Sequence, residues 1–326
     1  MLINFKIMNK KLTFLAILFL ATVFSANATI WRVNNNGGIN ADATTLQEAH
    51  DAASAGDTIY LEFSPNTYGN CTFTKQLLVI GTGYFLTENA MTPVQKAGAK
   101  VITLTFSSGS EGSIITGLNI TTIYNKINNL VLKRNYISSN LYVAYGVSVS
   151  NVVIEQNYII GTIKFESGAS NVIISNNILK SYIGMTSSSS ATIRNNVCTY
   201  TSLSSFFNAT FQNNIWADGT ASFTNCEVKN NLFKETGTDV DGNQYGIDMS
   251  TVFVGTGSTD GEYQLSATSP ALGAAIDGGE CGAFGGSNPY RLSGVPTVPY
   301  IYDATIPTSG SSTGGLPVTI KIRSNN

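Results

Sequence analysis

Six segments share one arrangement of apolar and polar positions: NLVLKRNYI, NVVIEQNYI, NVIISNNIL, ATIRNNVC, NATFQNNIW and NCEVKNNLF. Position zero is taken as the asparagine that recurs in all six: Asn135, Asn157, Asn177, Asn196, Asn214 and Asn231. Positions −5 and −3 are then apolar or small, from Leu130 and Leu132 in the first segment to Cys226 and Val228 in the last. Position +2 is apolar, from Ile137 to Phe233. Alternation with a period of two predicts a strand with one buried face, then a turn and a second short strand. Successive spacings are 22, 20, 19, 18 and 17 residues. Self-similarity at about 20 residues marks a solenoid in which each repeat is one coil. Third strands are predicted within 141–149, 161–166, 181–185, 202–206 and 220–223, which makes the chain an all-β parallel β-helix. The falling spacing places the longest loops, and any cleft built from them, in the early coils.

The asparagine has a physical reason to recur. It tolerates the left-handed backbone of a sharp bend. Stacked coil over coil, its amide also satisfies buried polar groups without charge. The six asparagines are therefore read as a structural ladder and not as ligands. Upstream, Ile115, Leu118 and Ile120 fit the pattern with leucine in the ladder slot, and Ile80, Gly83 and Phe85 fit it more loosely.

The solenoid's first end needs a cap over its open apolar cross-section. Thr45 and Glu48 form a capping box that predicts a helix over 45–55, ended by Gly56. Leu46, Ala49, Ala52 and Ala53 are predicted on its inner face, and a strand follows with Ile59, Leu61 and Phe63 on one side. From Thr236 the pattern fades, and residues 291–326 read as a Pro/Ser/Gly-rich tail with a terminal strand at 316–322.

Charge narrows the partners. A net charge of −2 offers no basic face for nucleic acid, and only 12% of residues are charged, so solubility rests on Asn, Ser, Thr and Gly. Lys10 and Lys11, the apolar run 12–24 and Ala26-Asn27-Ala28 read as a secretory signal peptide over 1–28. The expectation is a secreted or cell-surface monomer with no membrane span in its mature part, whose partner is an extracellular polysaccharide or a cell-surface component. Export permits disulfides. However, Cys198 and Cys226 lie two coils apart in different columns, an axial offset of about 10 Å, so both are expected to be unpaired core residues. A Cys71–Cys281 pair stays open.

The stretch TLQEAHDAASAGDTIYL, followed by coils carrying asparagine, resembles the opening of right-handed parallel β-helix proteins of the pectin lyase-like superfamily. SPALGAAIDGGECGAFGG is similar to their closing segment. The resemblance spans about 29–290 and implies a right-handed β-helix behind a capping helix. The superfamily holds polysaccharide lyases, glycoside hydrolases, esterases and proteins of no known chemistry, so fold alone does not select an activity.

An active site of either main class would need clustered charge: carboxylates on calcium with a basic residue for a lyase, paired Asp or Glu for a glycosidase. The outward positions of the third strands read Tyr142, Ala144, Thr162, Lys164, Glu166, Tyr182, Gly184, Ser202, Thr220 and Ser222, where only Lys164 and Glu166 are charged. These two are the candidate catalytic residues. Position −2 reads Lys133, Glu155, Ser175, Arg194, Gln212 and Lys229, again without an acidic cluster. No cofactor is implied, apart from calcium at Asp239 and Asp241, in a loop that lacks the twelfth-position glutamate of a calcium hand. His50 lies on the capping helix, away from any such cluster. Position +1 holds Tyr136, Tyr158, Ile178, Val197, Ile215 and Leu232: either an outward apolar stripe or residues turned into the core. Tyr136, Tyr158, Tyr142 and Tyr182 are the candidate glycan-binding residues. These features favour a non-catalytic glycan-binding, scaffold or adhesin-like protein. The alternative is a polysaccharide-degrading lyase or glycoside hydrolase.

Overall fold

The computed structural model describes residues 28–200 and 203–324. The signal peptide expected over 1–28 lies almost wholly outside them, as does Ser202. No described helix is long and apolar enough to cross a membrane.

The chain is a right-handed parallel β-helix of about nine coils with about 19 residues per coil. Its first face is a ten-stranded sheet that starts at Ile30–Val33 and Thr58–Leu61 and ends at Ala209–Gln212 and Glu227–Lys229. The second face is a file of two-residue strands, from Tyr136–Ile137 to Leu232–Phe233. The third runs from Leu141–Ala144 to Ala221–Thr224. In two early coils the seven-residue strands Lys100–Phe106 and Asn119–Asn125 pass through both of these faces without a break. Asn119 and Ile120 pair with Tyr136 and Ile137, while Ile123 and Tyr124 pair with Leu141 and Tyr142.

Positions −5, −3 and +2 point inward as predicted and form one continuous core, loosening only at Cys226 and Val228 in the last coil. The early match needs a correction of one residue: Val79, not Ile80, pairs with Ile115 and is fully buried. The long loop 82–98 interrupts this coil and hides its register.

The six asparagines form a single buried file. Asn135 Oδ1 accepts the Leu118 backbone N–H at 3.1 Å. Asn135 donates its backbone N–H (2.8 Å) and its Nδ2 (3.2 Å) to Asn157 Oδ1, and its Nδ2 also to the Ile115 carbonyl. The same set of bonds repeats down to Asn231. A seventh rung was not foreseen: Asn231 donates to Asn243 Oδ1 across a gap of only 12 residues. Asn243 then ends the file by donating to the Val228 and Val240 carbonyls, both at 2.8 Å. The expected left-handed bend is not at these asparagines. It falls one residue earlier, at Arg134, Gln156, Asn176, Asn195, Asn213 and Asn230 (φ 52–58°), and again at position −6 in Asn129, Asn151, Asn171, Asn208 and Asn225.

The cap is helix α1, Leu46–Ala52, with both halves of the capping box formed. It is shorter than predicted, because Ala53 is already extended. Gly56, at φ 91°, belongs to the turn beyond it. Ala52 is exposed and Phe63 only half-buried, so neither joins the inner face.

Residues 236–290, expected within the β-helix, contribute no further full coil. After Asn243 the chain reverses and runs back along the second face as a strap. The tail then forms an antiparallel hairpin, Tyr300–Thr305 with Thr319–Arg323, where only the second strand was expected. All four cysteines are free.

Candidate functional site

On the third face the register aligns Thr105, Tyr124, Tyr142, Lys164, Gly184, Ser205 and Ser222 in one outward column. Tyr124 and Tyr142 stack with ring centroids 4.8 Å apart and planes 15° from parallel. Tyr145 leans on both, at 4.6 and 5.3 Å. Each of the two stacked rings covers one face of the other. Lys164 Nζ lies 5.2 Å from the Tyr142 ring centroid and Lys126 Nζ 5.3 Å from that of Tyr145. Gly184 leaves its slot empty, and the exposed ring of Tyr182 lies over it. The structure thus groups Tyr142 with two tyrosines and a lysine that were not singled out from sequence.

Two positions of this face were read wrongly. A register shift between Tyr142 and Ala144 turns Ala144 into the core, and Thr162 is buried. Of the candidate catalytic pair, Lys164 is engaged with Tyr142, and Glu166 is exposed just beyond the strand Ile163–Phe165. On the first face the −2 column keeps its register. In it Lys133 forms an ion pair with Glu155 of the next coil at 2.7 Å.

The +1 stripe fits neither expectation. Its side chains point away from the helix interior, yet Tyr158, Ile178, Val197, Ile215 and Leu232 are buried, because the strap covers them with Tyr263, Ala271, Ala275, Cys281, Ala283 and Tyr290. Tyr158 is therefore withdrawn as a glycan-binding residue, and desolvation pushes its hydroxyl pKa up. Tyr136, half-buried, is held between Tyr158, Tyr84 and Phe85. Burying each aliphatic member of this stripe is worth about 1.5–3 kcal/mol.

The strap's register is set by the −1 file, a role the sequence reading did not assign. Asn230 Nδ2 donates to the Ala274 carbonyl, and Asn213 Oδ1 accepts the Ile276 N–H. Asn195 donates to Glu280, Asn176 to Ala283 and Gly285, Gln156 to Asn288 and Pro289, and Arg134 to Val295, in each case to a backbone carbonyl. Gly282 explains one glycine of the strap: at φ 88° it approaches so closely that a Cβ would stand 2.6 Å from Ile215 Cδ1. At the strap's far end the fully buried Asp260 accepts from Asn89, Ser258, Tyr290 and the Ser293 N–H. Tyr290 in turn bonds Tyr84 at 2.7 Å. Burial holds both phenols well above their ordinary pKa. This carboxylate is committed to holding loop 82–98 against the strap.

The remaining candidates have structural partners. Asp239 Oδ1 accepts the Tyr245 N–H, and Asp241 takes a left-handed turn. Among the described residues no three His, Cys, Asp or Glu side chains converge as a metal site. His50 is buried and accepts the Thr74 N–H at Nε2 (3.0 Å). Burial pushes the Cys281 thiol up to about 12 and raises Cys71 and Cys198 as well, which leaves none of the three a ready thiolate nucleophile. No protein-family model, curated protein or solved structure matches the chain.

Proposed function

We propose that this chain is a secreted, non-catalytic β-helix of the pectin lyase-like kind that binds glycan along its third face. The observation that carries this reading is the Tyr124–Tyr142–Tyr145 cluster flanked by Lys126 and Lys164. Tyrosine joins a rigid apolar body to a polar tip, and so suits a hydroxyl-rich partner at low entropic cost. A polymer laid along the face meets Tyr124, Tyr142 and Lys164 on successive coils, about 4.8 Å apart. The apolar run 12–24 behind Lys10 and Lys11 supports export, and the free outer surface of the third face supports a monomer that engages a cell-surface or matrix polysaccharide.

The test is affinity electrophoresis of the full chain on a panel of neutral and acidic polysaccharides. At least one should retard it, and Tyr142→Ala should weaken that retardation about tenfold, or ~1.4 kcal/mol. Absence of retardation on every glycan would sink the reading. Depolymerised product that disappears in Glu166→Ala but persists in Glu155→Ala would replace it with the enzyme reading.

A further inference from the structure

We infer that a second site, away from the third face, takes a small organic anion: an oxyanion head, carboxylate or sulfate ester, on an aromatic body. Loop 82–98, the strap and the C-terminal hairpin line an open cleft of about 460 Å³, within the roughly 300–1,000 Å³ range of small-molecule sites. Its walls include Thr92, Gln264, Phe284, Arg291, Tyr300 and Arg323, and none of its described lining residues is acidic. Two guanidinium groups on one cleft of a chain whose net charge is −2 form a local positive site and not a general basic surface.

Both arginines are placed by the fold. Arg323 ends a hairpin strand directly opposite Tyr300, and Arg291 follows the buried Tyr290 that Asp260 anchors. Guanidinium forks match carboxylate and sulfate geometry, while Phe284 and Tyr300 supply flat apolar walls for a ring. Behind the cleft, burial and then the neighbouring charge of Arg291 lower the pKa of Arg134. The rim also carries a backbone feature common at ligand sites. Met91 stands at φ 58°, unfavourable for a residue with a Cβ, and its carbonyl accepts the Tyr300 hydroxyl at 2.9 Å.

Isothermal titration of the full chain with benzoate, phenyl sulfate and neutral benzyl alcohol tests this site separately from glycan retention. The better of the two anions should bind at least tenfold more tightly than benzyl alcohol, and the anion preferred identifies the head group. Arg323→Ala, on an exposed hairpin, should weaken that binding at least tenfold. Arg194→Ala, on the first face, should leave it unchanged. Arg291→Gln, checked for an unchanged denaturation midpoint, should repeat the Arg323→Ala loss. Binding of neither anion, equal binding of benzyl alcohol, or parental affinity in Arg323→Ala would overturn the inference.

Discussion

Two neighbouring files of residues, at positions −1 and zero, are nearly identical in sequence and opposite in duty. Asn176 and Asn177 are adjacent asparagines, yet Asn177 points inward and ties its coil to the coils on either side. Asn176 bends the backbone and holds the strap from outside. From Asn157 to Asn231 the zero file is held to asparagine's own geometry, because each Oδ1 accepts two bonds and each Nδ2 donates at least two. The −1 file includes Arg134, Gln156 and four asparagines, because it needs only a donor or acceptor long enough to reach the strap. One file is defined by its neighbours in the stack, the other by a passing segment of chain.

That contrast can be broken or sharpened by substitution. Asn177→Ala should have the largest effect, about 3–5 kcal/mol, since it strands the Asn157 N–H and Nδ2 and the Ile154 carbonyl in the core. Chemical denaturation measures it, and a loss below about 1 kcal/mol would deny the ladder its role. Asn176→Ala should cost about 2–3 kcal/mol through left-handed strain and two lost strap bonds. Asn176→Gly should recover only the backbone part, and proteolysis within 236–296 should rise in both variants. If the strap's protection were unchanged in both, the −1 file would not hold it. Asn171 sits at position −6, exposed, left-handed, and bonded to Asn151 Oδ1 at 2.7 Å. Asn171→Gly keeps its bend and should shift stability by no more than about 0.5 kcal/mol. A larger loss would show that the exposed file matters as much as the buried one.

The coils were legible because their cause is local: inward positions alternate with outward ones, and the ladder fixes the phase. The candidate site was less so. Tyr142, Lys164 and Gly184 follow their ladder residues by seven positions, but Ser205 follows by nine, Ser222 by eight and Tyr124 by six. The turns between the second and third faces vary in length, so a fixed offset loses the column, and Tyr124 and Tyr145 went with it. The fate of Tyr158 was illegible for a different reason. Its cover comes from residues about a hundred positions later, in a segment with no repeat to betray where it lies. The residues at position −1 were a usable signal: a row of polar side chains beside an apolar stripe indicates something to be bonded and covered.

A stack of coils touching only nearest neighbours should fray from either end. Here a single stretch of chain bonds Asn230 near one end and Tyr84 near the other, crossing the intervening coils in order. Peeling the last turn must therefore lift part of this lengthwise splice. The coils from Tyr84 to Asn230 should melt as one body, the last of them sharing the stability of the middle.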